Sequence, residues 1–169
     1  KIKESDVGLL FVVEEEVGGP GMKFANEHLG VSSWETVIFG EPTEMKLCVG
    51  HKGLVLFQFV AEGKAAHSGY PDLGVNATSI LVDALYKLTH ADLPKSDLLG
   101  ESTVNIGLIE GGIAPNVIPK NAQATIIIRV AKDSQKIVDI VKKIATESQP
   151  AGSLRIEELY AIDEQLLEY

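Results

Sequence analysis

Cysteine is almost absent. Cys48 stands alone among 169 residues, so no internal disulfide closes the chain, a usage that fits a reducing compartment and predicts a cytoplasmic protein. Basic residues are outnumbered, 15 against 24 acidic, and a net charge of −9 lacks the basic footprint of a general nucleic-acid binder. No apolar run is long enough to span a bilayer, and no signal peptide is read at the first residues. The expectation is no nucleic-acid partner and no membrane. Repeats and low-complexity tracts are missing as well. Histidine is unevenly placed: none precedes Glu15 and none follows His90. What remains is the composition of a globular protein, 45% hydrophobic and 23% charged, long enough for one good core or two small lobes. Residues Lys1 to Asp6 lead almost at once into a buried-type strand, which predicts that the chain begins inside a domain and is a fragment.

The most informative stretch runs from Val7 to Gly19. An uncharged apolar run, VGLLFVV, breaks into Glu14-Glu15-Glu16, and Val17-Gly18-Gly19 then releases the chain. A short apolar run bounded in this way predicts a strand buried on both faces of a parallel or mixed sheet. In open α/β sheets ligands gather at the carboxyl ends of strands, where these acids fall. Two adjacent acids at a strand end can serve one metal site, one as ligand and one as proton carrier. The plainer alternative is a solvated loop opening a helix, since acids near a helix N-terminus are stabilised by its dipole and charge runs are usually solvated.

Farther on, Met22 to Leu29 predicts a short helix stopped by Gly30. Thr36 to Phe39 predicts a second apolar strand, again followed by an acid in Gly40-Glu41-Pro42-Thr43. Pro42 restricts Glu41 to extended backbone and so fixes the direction in which its side chain leaves. An exposed acid in a turn is the commoner meaning of that pattern. Met45 to Val49 predicts a third strand and Gly50 to Gly53 a turn. Leu54 to Ala61 is a longer strand, and Gly63 to Pro71 a loop rich in turn formers. Ala77, Ile80, Leu81, Ala84, Leu85 and Leu88 then recur at helical spacing. After a polar linker from Asp92 to Glu101, Val104, Ile106 and Leu108 mark a strand. Gly111-Gly112 breaks it and Pro115 to Pro119 crosses over. Ala124, Ile126, Ile128 and Val130 alternate on the next strand, which puts Arg129 on its other face with Thr125 and Ile127. Asp133 or Ser134 caps a second helix carrying Ile137, Ile140, Val141, Ile144 and Ala145. Leu154 and Ile156 mark a last strand, and Tyr160 to Tyr169 has no clear assignment.

From Leu54 the order is β-α-β-β-α-β, the ferredoxin-like arrangement of an antiparallel sheet with two helices on one face. The predicted class is thus α/β plus α+β, with a partial α/β sheet over residues 1–52, a ferredoxin-like lobe over 53–160, and a return toward the first domain over 161–169.

Five segments together resemble a known family: Glu15-Glu16-Val17-Gly18 after an apolar strand; Gly40-Glu41-Pro42-Thr43; Gly63-Lys64-Ala65-Ala66-His67-Ser68-Gly69-Tyr70-Pro71 leading to Gly74-Val75-Asn76-Ala77; Gly111-Gly112 before Asn116-Val117-Ile118-Pro119; and Arg129 ending the next strand. In this order they resemble the zinc-dependent aminoacylase, acetylornithine deacetylase and succinyl-diaminopimelate desuccinylase family of co-catalytic metallohydrolases, over nearly the whole chain. The resemblance outweighs the plainer reading of the acid run. It implies that residues 1–52 are part of a zinc-peptidase-like catalytic domain and that 53–160 form its lid and dimerisation domain. Glu15 would be the general base, Glu16 a ligand of one zinc and Glu41 a ligand of the other. Two metals about 3.5–4 Å apart activate a water for attack on an amide carbonyl. His67 would reach a partner subunit's site and stabilise the oxyanion, a contribution of about 2.7–4 kcal/mol elsewhere. Asn116 and Arg129 would bind the substrate's backbone or carboxylate, a group that a guanidinium fork suits.

The resemblance further implies two zinc ions per full-length subunit, with cobalt or manganese as substitutes, a homodimer through residues 53–160, and an N-acyl amino acid or small peptide as substrate. The loop from His67 to Pro71 leans toward the acetylornithine deacetylase branch. The chain also departs from the pattern. A full member has a His-x-Asp segment before the glutamate pair, a bridging Asp, and a histidine near its C-terminus. Of the five usual zinc-binding side chains only Glu16 and Glu41 are here, so the chain alone is expected to be inactive. His28, His51, His90 and Cys48 match nothing functional. Two other readings stay open, a non-catalytic ferredoxin-like dimerisation or interaction module and a catalytically dead relative.

Overall fold

Alternation of large apolar residues with their neighbours between Gly53 and Glu62 makes the central strand of the molecule. In the computed structural model, which describes residues 7–30, 35–148 and 150–166, Val55, Phe57, Phe59 and Ala61 are at most 1% exposed. The residues between them, Leu54, Leu56, Gln58 and Val60, face the other way and are half-buried. The chain divides into two units, Lys1–Met45 and Lys46–Tyr169. The first holds α1 (Pro20–His28). The second holds β1 (Gly50–His51), β2 (Gly53–Glu62), β3 (Ala66–His67), α2 (Ala77–Thr89), β4 (Lys95–Ser96), β5 (Gly100–Glu101), β6 (Thr103–Gly111), β7 (Val117–Ile118), β8 (Asn121–Val130), α3 (Ser134–Thr146), β9 (Leu154–Ile162) and β10 (Gln165–Leu166).

The second unit is built on a four-stranded antiparallel sheet in the order β6-β8-β2-β9. Register places Phe57 opposite Ile126 and Phe59 opposite Ala124 on one side of β2, with Phe59 opposite Ile156 on the other. This is the ferredoxin-like β-α-β-β-α-β order that the spacing predicts. α2 buries Ala77, Ile80, Leu81, Ala84, Leu85 and Leu88, and α3 buries Ile137, Val138, Val141 and Ile144. The α2 stripe packs onto the buried face of β8 and β2 and the α3 stripe onto that of β9 and β2, and each fully buried large side chain contributes about 1.5–3 kcal/mol. Asn76 caps α2, its Oδ1 accepting from the Ser79 N–H at 3.1 Å, and Asp133 caps α3, accepting from the Lys136 N–H at 3.1 Å. Such caps are worth about 1 kcal/mol each.

Among the described residues of the second unit no helix covers the sheet's opposite face, which presents Leu54, Leu56, Thr125, Ile127 and exposed Arg129. Two sequence expectations change at the margins of the lobe. β9 continues to Ile162, with a register shift between Leu56 and Phe57 of its partner. Gly50-His51, expected in a turn, forms a ladder instead, Gly50 opposite Leu166 and His51 opposite Gln165. Local turn chemistry cannot reveal a partner that far along the chain. Residues 1–6 and 167–169, at the two ends of the sequence reading, lie outside the described residues.

In the first unit the expected helix is present, opened by Pro20 in its first turn and closed where the Leu29 N–H donates to Ala25 O at 2.9 Å. The expected strands are not. Val7 to Val13 and Thr36 to Phe39 have no ladder partner among the described residues, nor does the run from Met45 to Val49 that crosses into the second unit. Leu9 is 81% exposed and Phe11 88%. The physical reason is that a strand is a pairwise object: apolar patterning says that a segment is suited to burial, but its N–H and C=O groups need a neighbour before a strand exists.

Candidate active site

Glu15 and Glu16 begin one 3₁₀ turn, Glu15–Val17, that the chain enters through Glu14 at φ 58° and leaves through Gly18 at φ 81°. Left-handed backbone at a residue with a Cβ costs roughly 1–2 kcal/mol, and at Glu14 it is held by the Gly19 N–H donating to the Glu14 carbonyl at 3.1 Å. The pair is therefore presented on a defined bend rather than on a strand tip. Both side chains are exposed, and no ion pair or side-chain hydrogen bond among the described residues uses them. Glu41 is exposed in irregular chain before Pro42. Among the described residues no group of three or more His, Cys, Asp or Glu side chains is arranged to hold a metal. A catalytic zinc takes three protein donors and an open position, so the described residues do not by themselves fit a zinc ion, and a complete site needs donors from outside them.

In the second unit the structure brings His67 and Asn116 together. Short strands β3 and β7 pair antiparallel, with Ala66 opposite Ile118 and His67 opposite Val117. The chain then turns: the Ser68 N–H donates to the Asn116 carbonyl at 3.0 Å, and the Tyr70 N–H to the His67 carbonyl at 2.9 Å. His67 and Asn116 are both exposed. The His67 ring accepts at Nδ1 from the Gly69 N–H at 3.0 Å, and the Tyr70 ring leans on it, centroids 5.9 Å apart and planes at 54°.

Beside this turn opens a hollow of about 620 Å³ lined in part by Ala65, Glu110, Gly112, Ile113, Val117 and Lys120. Glu110, which the sequence reading did not single out, lines it and accepts from Gln123 Nε2 at 2.9 Å. A carboxylate directly before Gly111-Gly112 was the only signal for it. Gly69 lay within the segment Gly63 to Pro71, but its contribution is a backbone N–H, which residue type does not record.

Arg129 lies elsewhere. It sits near the far end of β8, opposite Leu54 and Thr103. Even from Gln123, which lines the same hollow as Val117, it is roughly 20 Å away along the strand at about 3.3 Å per residue. None of the ion pairs among the described residues includes it, so a salt bridge on the open face does not account for it. One copy of the lobe does not bring Arg129 to His67 and Asn116.

With this geometry in hand, comparison with known proteins is direct. Residues 49–153 match the family model described as a peptidase dimerisation domain. A peptidase M20 domain-containing protein of Schizosaccharomyces pombe is 52% identical over 144 residues, covering 85% of this chain and 36% of that protein. A probable carboxypeptidase of Talaromyces marneffei is 51% identical over 157 residues, covering 86% of this chain and 35% of its own length. The chain thus spans about a third of the curated relatives it matches. Among solved structures, a hydantoinase/carbamoylase family amidase from Burkholderia ambifaria superposes with a TM-score of 0.60 at 15% identity, over 71% of this chain and 30% of that one. Aminopeptidase PepT from Bacillus cereus gives 0.54 at 23%, over 72% and 32%. At these identities the structures show a shared fold.

Proposed function

Because this chain belongs to the M20 peptidase family, matching its dimerisation domain, we propose that the whole protein is a dizinc hydrolase that cleaves the amide bond of an N-acyl amino acid or a small peptide. Glu15 takes the proton from the attacking water. Glu16 and Glu41 are donors, one to each zinc, and the remaining donors come from parts of the whole protein beyond the described residues. His67 Nε2 donates to the oxyanion that forms on the amide carbonyl, while Asn116 and Arg129 hold the substrate's backbone and carboxylate.

The observation that carries the reading is the acid turn. Two consecutive carboxylates with no partner among the described residues stand on a bend with left-handed backbone at both ends, an arrangement that leaves them free for a ligand. The whole protein with Glu15→Gln should lose at least about a hundredfold in kcat while metal analysis still finds two zinc ions. Loss of zinc with the fold intact would move the base elsewhere, and a wild-type protein inert toward N-acyl amino acids and short peptides would favour the non-catalytic module.

The lobe also supports a homodimer. Its two edge strands differ in chemistry. In its first half β9 carries Arg155, Glu157 and Glu158, with Arg155 and Glu157 ion-paired, the kind of charge that discourages edge pairing, while its second half exposes Leu159, Tyr160 and Ile162. β6 exposes Ile106, Leu108 and Ile109, and neighbouring α2 exposes Val82 and Tyr86. Pairing across β6 covers that apolar edge and sets two copies of Arg129 and of the His67 turn around one axis, which suits a site assembled from both. Sedimentation should give a dimer for the chain and a monomer for Leu108→Asp; a wild-type monomer at tens of micromolar would count against His67 acting in trans.

A further inference from the structure

We propose that Gly69 is a positioning residue for His67: its backbone N–H fixes the imidazole in the Nε2–H tautomer and sets the direction of that remaining N–H. The inference rests on the role given to His67 above, and adds what holds the ring.

The four histidines of the chain divide three to one. His28 Nδ1 lies 2.8 Å from the Phe24 carbonyl, His90 Nδ1 2.8 Å from the Tyr86 carbonyl, and His51 Nδ1 3.0 Å from the Lys52 carbonyl. A carbonyl only accepts, so in each of these rings Nδ1 carries the proton. At His67 the polarity is reversed. The Gly69 N–H donates to Nδ1 at 3.0 Å, and a ring nitrogen that accepts carries no proton, so in the neutral ring the proton is on Nε2. No hydrogen bond among the described residues uses Nε2 of this exposed ring, and as N–H it is a donor of the kind an oxyanion needs.

The close approach depends on the absence of a side chain. A Cβ built on Gly69 would stand 3.1 Å from His67 Nδ1 and 3.4 Å from Cε1, so the ring would have to give by a few tenths of an ångström and the hydrogen bond would loosen. The donor is itself held: Tyr70 N–H to the His67 carbonyl at 2.9 Å and Ser68 N–H to the Asn116 carbonyl at 3.0 Å pin the turn on both sides of Gly69. A backbone N–H, with the Tyr70 ring leaning on the imidazole, orients this histidine. That also places Asn116, through its carbonyl, in the same support.

The test is nitrogen NMR on ¹⁵N-labelled chain, at a pH where the rings are neutral. The expected result is a scalar coupling between Gly69 N and His67 Nδ1 through the hydrogen bond, with His67 protonated at Nε2 and His28, His51 and His90 at Nδ1. Absence of the coupling, or a proton on His67 Nδ1, overturns the proposal. Gly69→Ala keeps the N–H but crowds the ring, and should weaken the coupling while the β3–β7 amide signals stay in place. In the whole protein the same variant should lower kcat about ten- to a hundredfold with KM little changed, whereas a change confined to KM overturns the positioning role. His67→Ala separates the two ideas: if it leaves turnover intact, the catalytic role fails while the coupling and tautomer in the chain stand.

Discussion

The two units of this chain are made of similar residues and end in opposite conditions. Phe59 on β2 is fully buried, and Phe11 in the run from Val7 to Val13 is 88% exposed. Both lie in apolar stretches that the same rule reads as strands. Within Lys46–Tyr169, β2 finds β8 and β9 on either side and two helices to cover one face. Within Lys1–Met45, Ala25 is the one buried apolar residue among those described. Apolar sequence is thus a demand for a partner. Only where the chain supplies the partner does it become structure.

The sharpest way to break this comparison is to cut the same ring from both units. Phe59→Ala should destabilise the lobe by about 3–5 kcal/mol in a denaturant titration, because its cavity is lined by a closed core. Phe11→Ala should shift the same transition by less than about 0.5 kcal/mol, since the ring loses no cover on removal. Equal losses would show that the first unit shares the lobe's core after all. Repeating Phe11→Ala in the whole protein sharpens the contrast: a cost that rises there to core size would identify Val7 to Val13 as a strand completed by the rest of the molecule.

How far the fold was legible follows the same line. β2 announced itself as an apolar run, β8 by its twofold period, and α2 and α3 by helical spacing, with Asp133 as a cap. Those elements bury their own pattern against one another, so sequence and environment agree. β6 departs from the single apolar face expected of Val104, Ile106 and Leu108, because a register shift after Ile106 sets Leu108 opposite Thr125 on the open face. β10 and the ladder at Gly50 were not legible, because a two-residue pairing between distant segments leaves no periodic mark. The last part of β9 was hidden by its exposed residues and its register shift.

At the site, His67, Asn116 and the glutamate pair stood out as side chains in a recurring pattern. Their placement did not. That Glu15 and Glu16 occupy a 3₁₀ turn, that His67 leans on the Gly69 N–H, and that Arg129 sits at the sheet's other end are matters of backbone path, which residue identity records only where a glycine must be.

One further consequence follows from the small ladder of β1 and β10. Gly50 faces Leu166 and His51 faces Gln165, so the strand leading into the lobe and the strand leading out are neighbours, with Cα atoms about 5 Å apart as in any antiparallel pair. The Ser134 hydroxyl donating to Asp163 at 2.5 Å and the Asp133 N–H donating to Glu164 at 2.9 Å brace the outgoing side. To whatever precedes and follows it, a lobe of more than a hundred residues therefore presents itself as a single hairpin stem. Such a module can be spliced into a surface loop of a host without prying its framework apart, and any swing of the lobe would turn on that one two-stranded stalk.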